Sequence, residues 1–188
     1  MIELKKQINK IKKSYFSFAD LRKIAKINDN SLRVVISRMI KAGEINPLLK
    51  GYYCLDLADI NWEKFAIEIY NPSYFSFEWA LGYYNILSQK TYSLTLATAK
   101  RSRKFNASEK NIIYRHIQPK LYWGYIIKDK YLIAEPEKAF LDLAYLSLNG
   151  YAKFDIEEMN MDLLNKKKIK TYLKKINSKK LNLLLKDF

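Results

Sequence analysis

Residues 28–55 read NDNSLRVVISRMIKAGEINPLLKGYYCL, and the reading of this stretch decides the fold. After the polar Asn28-Asp29-Asn30-Ser31, apolar side chains recur at Leu32, Val35, Ile36, Met39 and Ile40, the three-and-four spacing of a helix with one buried stripe. Asp29, Asn30 or Ser31 can cap its start, and Gly43 can end it. That leaves Ser31, Arg33, Ser37, Arg38 and Lys41 mostly off the stripe. They are short hydrogen-bonding or cationic side chains, the types that meet base edges and phosphates from a helix in the major groove. Beyond Gly43, residues 44–48 and 51–55 read as two short strands around a turn at Leu49-Lys50-Gly51. Gly51 supplies the permissive backbone there, and Lys50 is lifted to the hairpin tip.

Upstream, Phe16-Ser17-Phe18-Ala19-Asp20-Leu21 fits a capped helix start, with Ser17 as cap, Asp20 as its capping-box partner and Phe16 with Leu21 as the hydrophobic staple. Residues 1–13 interleave Ile2, Leu4, Ile8 and Ile11 with Lys5, Lys6, Lys10, Lys12 and Lys13, so a first helix is expected to pack beneath the next two while Lys12 and Lys13 flank a phosphate backbone. Helix, short polar connection, helix, hairpin is the order of a winged helix-turn-helix. A small helical bundle with an appended hairpin is the structural alternative.

The charge is unevenly spread along the 188 residues, whose formal net charge is +15. Residues 1–55 hold 12 Lys and Arg against 4 Asp and Glu, residues 56–161 hold 13 of each, and residues 162–188 hold 9 against 2. Basic ends around a neutral middle concentrate polyanions and supply the sequence-independent part of nucleic-acid affinity. A lysine-rich solvated surface explains the last block equally well. No apolar run approaches the ~20 residues that span a bilayer, and the lysine-rich start lacks the apolar core of a secretory signal, so a cytoplasmic protein with no membrane partner is expected. One cysteine, Cys54, and one histidine, His116, make neither an internal disulfide nor a conventional zinc site; no metal and no cofactor is expected.

The polar residues 56–61 read as a connector, dividing a DNA-binding domain over 1–56 from a second domain over 57–188. In the second, helical patterns run from Trp62 to Tyr70 and onward from a cap at Ser76. The aromatic cluster Tyr70, Tyr74, Phe75, Phe77, Trp79, Tyr83 and Tyr84 reads first as core and second as a stacking platform for single strands. Strands are expected over 93–97, 111–116, 121–127 and 131–134. Between the first two lies Lys100-Arg101-Ser102-Arg103-Lys104, a basic loop that can hold phosphates through Lys100, Arg101, Arg103 and Lys104. Glu135-Pro136-Glu137-Lys138 opens a helix carrying Phe140, Leu141, Ala144, Tyr145 and Leu148. A Lys-rich tail follows, with apolar stripes at Ile169, Tyr172, Leu173, Ile176 and at Leu181, Leu184, Leu185. The expected class is α+β: a winged helix-turn-helix domain, then a mixed α/β domain with an antiparallel sheet and C-terminal helices.

Three motifs in order, Lys50-Gly51-Tyr52-Tyr53, Pro72-Ser73-Tyr74-Phe75-Ser76 with Ala80-Leu81, and Ala134-Glu135-Pro136-Glu137-Lys138-Ala139 with Leu141-Asp142, resemble the AbiEi family of antitoxins. The resemblance spans residues 16–148. It implies an N-terminal winged helix that binds inverted repeats in double-stranded DNA of its own promoter and represses the operon. It also implies a C-terminal domain needed for antitoxicity in a type IV toxin–antitoxin, or abortive-infection, system of phage defence. The implied partner is a nucleotidyltransferase-like toxin, with no obligatory stable complex. Lys50 stands where the family often has Arg, which changes a bidentate or minor-groove contact into a point charge on phosphate. The tail after Asn160 matches none of these motifs.

Catalysis has one candidate. Glu135, Glu137 and Lys138 resemble the acidic residues and lysine of Mg²⁺-dependent nucleases, but Glu135 to Lys138 spans three positions and Pro136 puts the group at a helix start. No Walker-type phosphate loop is present, and His116 sits among strand-like residues. The expectation is therefore not an enzyme, with an RNA-binding module built on the aromatic cluster and the basic loop as the main rival.

Overall fold

The computed structural model describes residues 2–11, 13–89 and 91–186. It is an α+β protein that divides into two compact units, one of residues 1–65 with 106–109 and the other of residues 66–105 and 110–188. The division falls inside helix α4 (Trp62–Ile69). Phe65 explains where: it meets Tyr15 and Tyr52 edge-on at 5.0 and 5.5 Å and is fully buried, which ties the start of α4 to the first unit.

In the first unit, α1 (Ile2–Lys10), β1 (Tyr15–Ser17), α2 (Phe18–Ala25), α3 (Asp29–Lys41), β2 (Asn46–Leu49) and β3 (Tyr52–Cys54) follow in order. The strands form an antiparallel sheet, β1-β3-β2. Helix α2 starts as its sequence requires: the Asp20 N–H donates to Ser17 Oγ at 3.1 Å, and the Ser17 N–H donates back to Asp20 Oδ2 at 2.9 Å. Phe16, Leu21, Leu32, Ile36, Met39 and Ile45 close a core with Leu4 and Ile8. A register shift between Pro47 and Leu49 lets Leu48 join the interior at 2% exposure.

The second unit is built on a six-stranded sheet, ordered β6-β7-β5-β4-β9-β8. Its strands are β4 (Tyr74–Phe75), β5 (Leu94–Thr98), β6 (Arg103–Ala107, whose last two residues group with the first unit), β7 (Lys110–His116), β8 (Tyr125–Lys128) and β9 (Tyr131–Ala134). The expected antiparallel sheet is corrected here: β5 runs parallel to β7, and β4 parallel to β9, so the sheet is mixed. The cause is connectivity. β6 turns back at Ser108-Glu109 and puts β7 beside β5 in the same direction, while the two-residue β4 bridges β5 and β9. Neither β4 nor β6 was expected as a strand. The strand expected over 121–127 is shortened to β8, because Leu121 closes a 3₁₀ turn and Gly124 takes the left-handed φ of +75° just before β8 begins.

Helices α5 (Phe77–Tyr83), α6 (Pro136–Ser147), α7 (Lys166–Ile176) and α8 (Lys179–Leu184) complete this unit. α6 is buried along most of its length. In the tail, Ile169, Ile176, Leu181 and Leu185 are buried, whereas Leu184 is exposed. Among the described residues, no helix is long and apolar enough to cross a membrane.

Candidate nucleic-acid interface

α3 begins one residue earlier than its sequence suggested. Asn28 is the cap, its Oδ1 accepting the Ser31 N–H at 2.8 Å, so Asp29, Asn30 and Ser31 all lie inside the first turn. The helix ends in two crossed bonds, Gly43 N–H to the Ile40 carbonyl at 3.0 Å and Glu44 N–H to the Met39 carbonyl at 2.9 Å, with Gly43 left-handed at φ +68°. Both ends are thus fixed by local chemistry.

Its two faces differ sharply. Leu32, Ile36 and Met39 are at most 3% exposed, whereas Ser31, Arg33, Ser37, Arg38 and Lys41 are all exposed. At 3.6 residues per turn these five occupy about 160° of the helix circumference. Two further exposed residues share that arc and were not singled out by sequence, Asn30 and Val34. Val34 is 50% exposed although its neighbour Val35 packs on the core, and only rotation about the helix axis tells the two apart. An exposed apolar side chain on such a face suits a thymine methyl.

The cations are not equivalent. Arg33 lies over the Phe18 ring at 4.6 Å, which restricts where its guanidinium reaches. Among the described residues, Arg38, Lys41 and Lys50 have no carboxylate partner. Lys50 is exposed at the two-residue turn between β2 and β3, where Gly51 takes φ +82°. Lys13 is exposed and pairs with Asp20 at 3.6 Å. The Ser17 N–H, with Lys13 nearby, holds the Asp20 carboxyl below the usual carboxylate range. Lys12 lies outside the described residues. Arg22 and Lys23 of α2 and Lys26, the residue that caps its end, carry no sequence signal for a role at the interface and are exposed too, Arg22 pairing with Asp29 at 3.7 Å.

In the second unit the expected basic loop is partly a strand, since Arg103 and Lys104 begin β6. All four cations are exposed, but they do different things. The Lys100 ammonium donates to the Asn71 carbonyl and lies 5.4 Å from the Tyr70 ring centre, and Arg103 stacks over the same ring at 5.5 Å. Arg101 contributes its carbonyl to the Tyr70 hydroxyl at 2.9 Å. Lys104 has no carboxylate partner among the described residues.

The conspicuous motifs of this unit turn inward. Lys138 is fully buried, its ammonium bonded to Asp142 Oδ1 and to the Tyr74 hydroxyl at 3.0 Å. Asp142 Oδ2 accepts from Tyr74 at 2.9 Å and Ser76 at 2.8 Å. Ser76 therefore sits at the start of α5 without capping it, its hydroxyl being committed to Asp142. Burial pushes the Lys138 ammonium below its ordinary value and the Tyr74 phenol well above its own. Gly124, at φ +75°, lets the Lys138 stem pass where a Cβ would lie 3.0 Å from Cγ.

Glu135 and Glu137 face elsewhere. Burial opposes ionisation of Glu135, yet bonds from Tyr172 and from Lys168 at 2.9 Å keep its carboxyl below the usual range. Glu137 accepts the Asn165 N–H at 3.1 Å, and its Oε2 lies 3.3 Å from Lys168 Nζ. The three nuclease-like residues thus serve two separate networks. Of the aromatic cluster, Tyr74, Phe75 and Phe77 are fully buried, while Tyr70, Trp79, Tyr83 and Tyr84 are half-buried. No protein-family model matches the chain, and no curated protein matches it in sequence.

Proposed function

We propose that the first unit is a winged helix-turn-helix that binds duplex DNA, and that the protein is a repressor of its own operon and the antitoxin of a type IV toxin–antitoxin system. One observation carries the DNA-binding part: α3 turns every apolar residue of its stripe inward and keeps Ser31, Arg33, Ser37, Arg38 and Lys41 exposed on one arc. On this reading α3 enters the major groove, Arg38 and Arg33 meet base edges or phosphates, and Lys50 on the hairpin wing and Lys13 meet phosphates. The antitoxin part rests on the order of the AbiEi-like motifs, whose residues Tyr74, Ser76, Lys138 and Asp142 join in one buried network as parts of a common scaffold should.

The test is a gel-shift competition followed by co-expression. The protein is expected to bind the duplex immediately upstream of its own gene more tightly than a random duplex or a single-stranded RNA, and to leave all three intact in Mg²⁺. Co-expression with a nucleotidyltransferase encoded next to it should restore growth. Preference for the single-stranded RNA would favour the RNA-binding reading, and Mg²⁺-dependent loss of substrate the nuclease reading. The RNA reading has less support from the geometry, since three of the seven aromatic residues it would use are buried.

A further inference from the structure

A groove of about 630 Å³ opens in the second unit between the β6–β7 pair and the end of α6. Its size lies within the ~300–1,000 Å³ range of small-molecule sites. We propose that it binds a nucleoside phosphate, with the base against the tyrosines of α6 and its following turn and the phosphate at the cations of β6. The site is read from the second unit alone and stands or falls independently of DNA binding by α3.

Charge supports the anionic half of this ligand. Arg103, Lys104, Arg115 and His116 line the groove, and among the described residues no aspartate or glutamate does. Arg115 is neutralised by a two-oxygen pairing with Glu78 at 2.8 Å. The positive field therefore comes chiefly from Lys104, which has no carboxylate partner among the described residues, while Arg103 adds its charge from over the Tyr70 ring. His116 is oriented by a 2.9 Å contact between Nδ1 and the Lys100 carbonyl.

The opposite wall supports the aromatic half. Tyr145 is half-buried in the wall, and Tyr151 is 73% exposed at its edge, a large ring left in solvent beside an apolar surface made by Ile113 and Leu146. Rings of this kind stack on bases without regard to base identity. The amides of Gln118 and Asn149, also in the lining, carry both donors and acceptors suited to a base edge. A plain anion would use the cations and ignore the rings; a nucleoside phosphate uses both. The same chemistry is offered by a free mononucleotide and by the phosphorylated end of a single strand.

The test is isothermal titration of the full chain with AMP, GMP, CMP and UMP, their nucleosides, inorganic phosphate and a 5′-phosphorylated tetranucleotide. A nucleoside phosphate, free or at the strand end, is expected to bind one per chain with Kd below about 1 mM. The matching nucleoside and inorganic phosphate should each bind at least about tenfold more weakly, as should the exposed-residue variants Lys104→Ala and Tyr151→Ala. Tight binding by the tetranucleotide alone identifies a strand end as the source; binding by mononucleotides identifies a free nucleotide. The proposal is overturned if no probe binds below about 1 mM, if inorganic phosphate equals the nucleotide, or if both folded variants bind as the parent does.

Discussion

Helices α3 and α6 both carry lysine or arginine among apolar residues, yet they use their cations in opposite ways. On α3, Arg38 and Lys41 are exposed and lack a carboxylate partner among the described residues. On α6, Lys138 is fully buried and held by Asp142 and Tyr74. An exposed cation without a partner is available to a polyanion, because phosphate replaces only water around it. A buried and bonded one is scaffold, since withdrawing it from its carboxylate leaves an uncompensated charge. Residue type alone does not separate these roles; the location of the partner does.

The largest effect should fall on α6. Asp142→Ala strands the Lys138 ammonium in the interior and is expected to lower stability by about 3–5 kcal/mol in urea denaturation. Adding Lys138→Met should recover much of that loss, because the buried charge goes with its partner. A loss below about 1 kcal/mol for the single variant would erase the distinction between the helices. On α3, Arg38→Ala should weaken binding to the upstream duplex by about 1–3 kcal/mol in a fluorescence-anisotropy titration while the melting temperature stays put. A fall in melting temperature without loss of affinity would make Arg38 scaffold as well.

Gly124→Ala, which forces a Cβ against the Lys138 stem at positive φ, is expected to cost about 1–2 kcal/mol in the same denaturation assay. Last comes the α2 cap. Asp20 is held below its ordinary value of 3.8, so the stability it contributes is present above that pH and is lost as pH falls through the folded-state value. Asp20→Asn should therefore cost about 1 kcal/mol at pH 7 and much less in strong acid. A deficit independent of pH would assign the loss to geometry rather than charge.

What was legible in the sequence is what is local. Leu32, Ile36 and Met39 announce their buried face by spacing, and Ser17 with Asp20 announce the start of α2, because both signals close within one or two turns. What was hidden depends on distant partners. Tyr74 lies 64 positions from Lys138, and Ser76 lies 66 from Asp142, so nothing near Ser76 reveals that its hydroxyl is taken. The parallel pairs β5–β7 and β4–β9 are hidden for the same reason. β6 has an additional disguise, for Arg103 and Lys104 are exposed on an edge strand and look like a solvated loop. Within the candidate interface, the cations of α3 were legible, while Val34 was masked by an apolar identity that normally marks a core.

The proposal that α3 reads a duplex is tested most directly by measuring affinity for the upstream duplex and for a random duplex over a series of salt concentrations, with the parent protein, Arg38→Ala and Lys50→Ala. The prediction is a tighter upstream complex in the parent, a reduced upstream-to-random ratio in Arg38→Ala, and in Lys50→Ala an unchanged ratio with a salt slope shallower by about one. Equal affinity of the parent for both duplexes, or an Arg38→Ala protein that keeps the full preference, would contradict it.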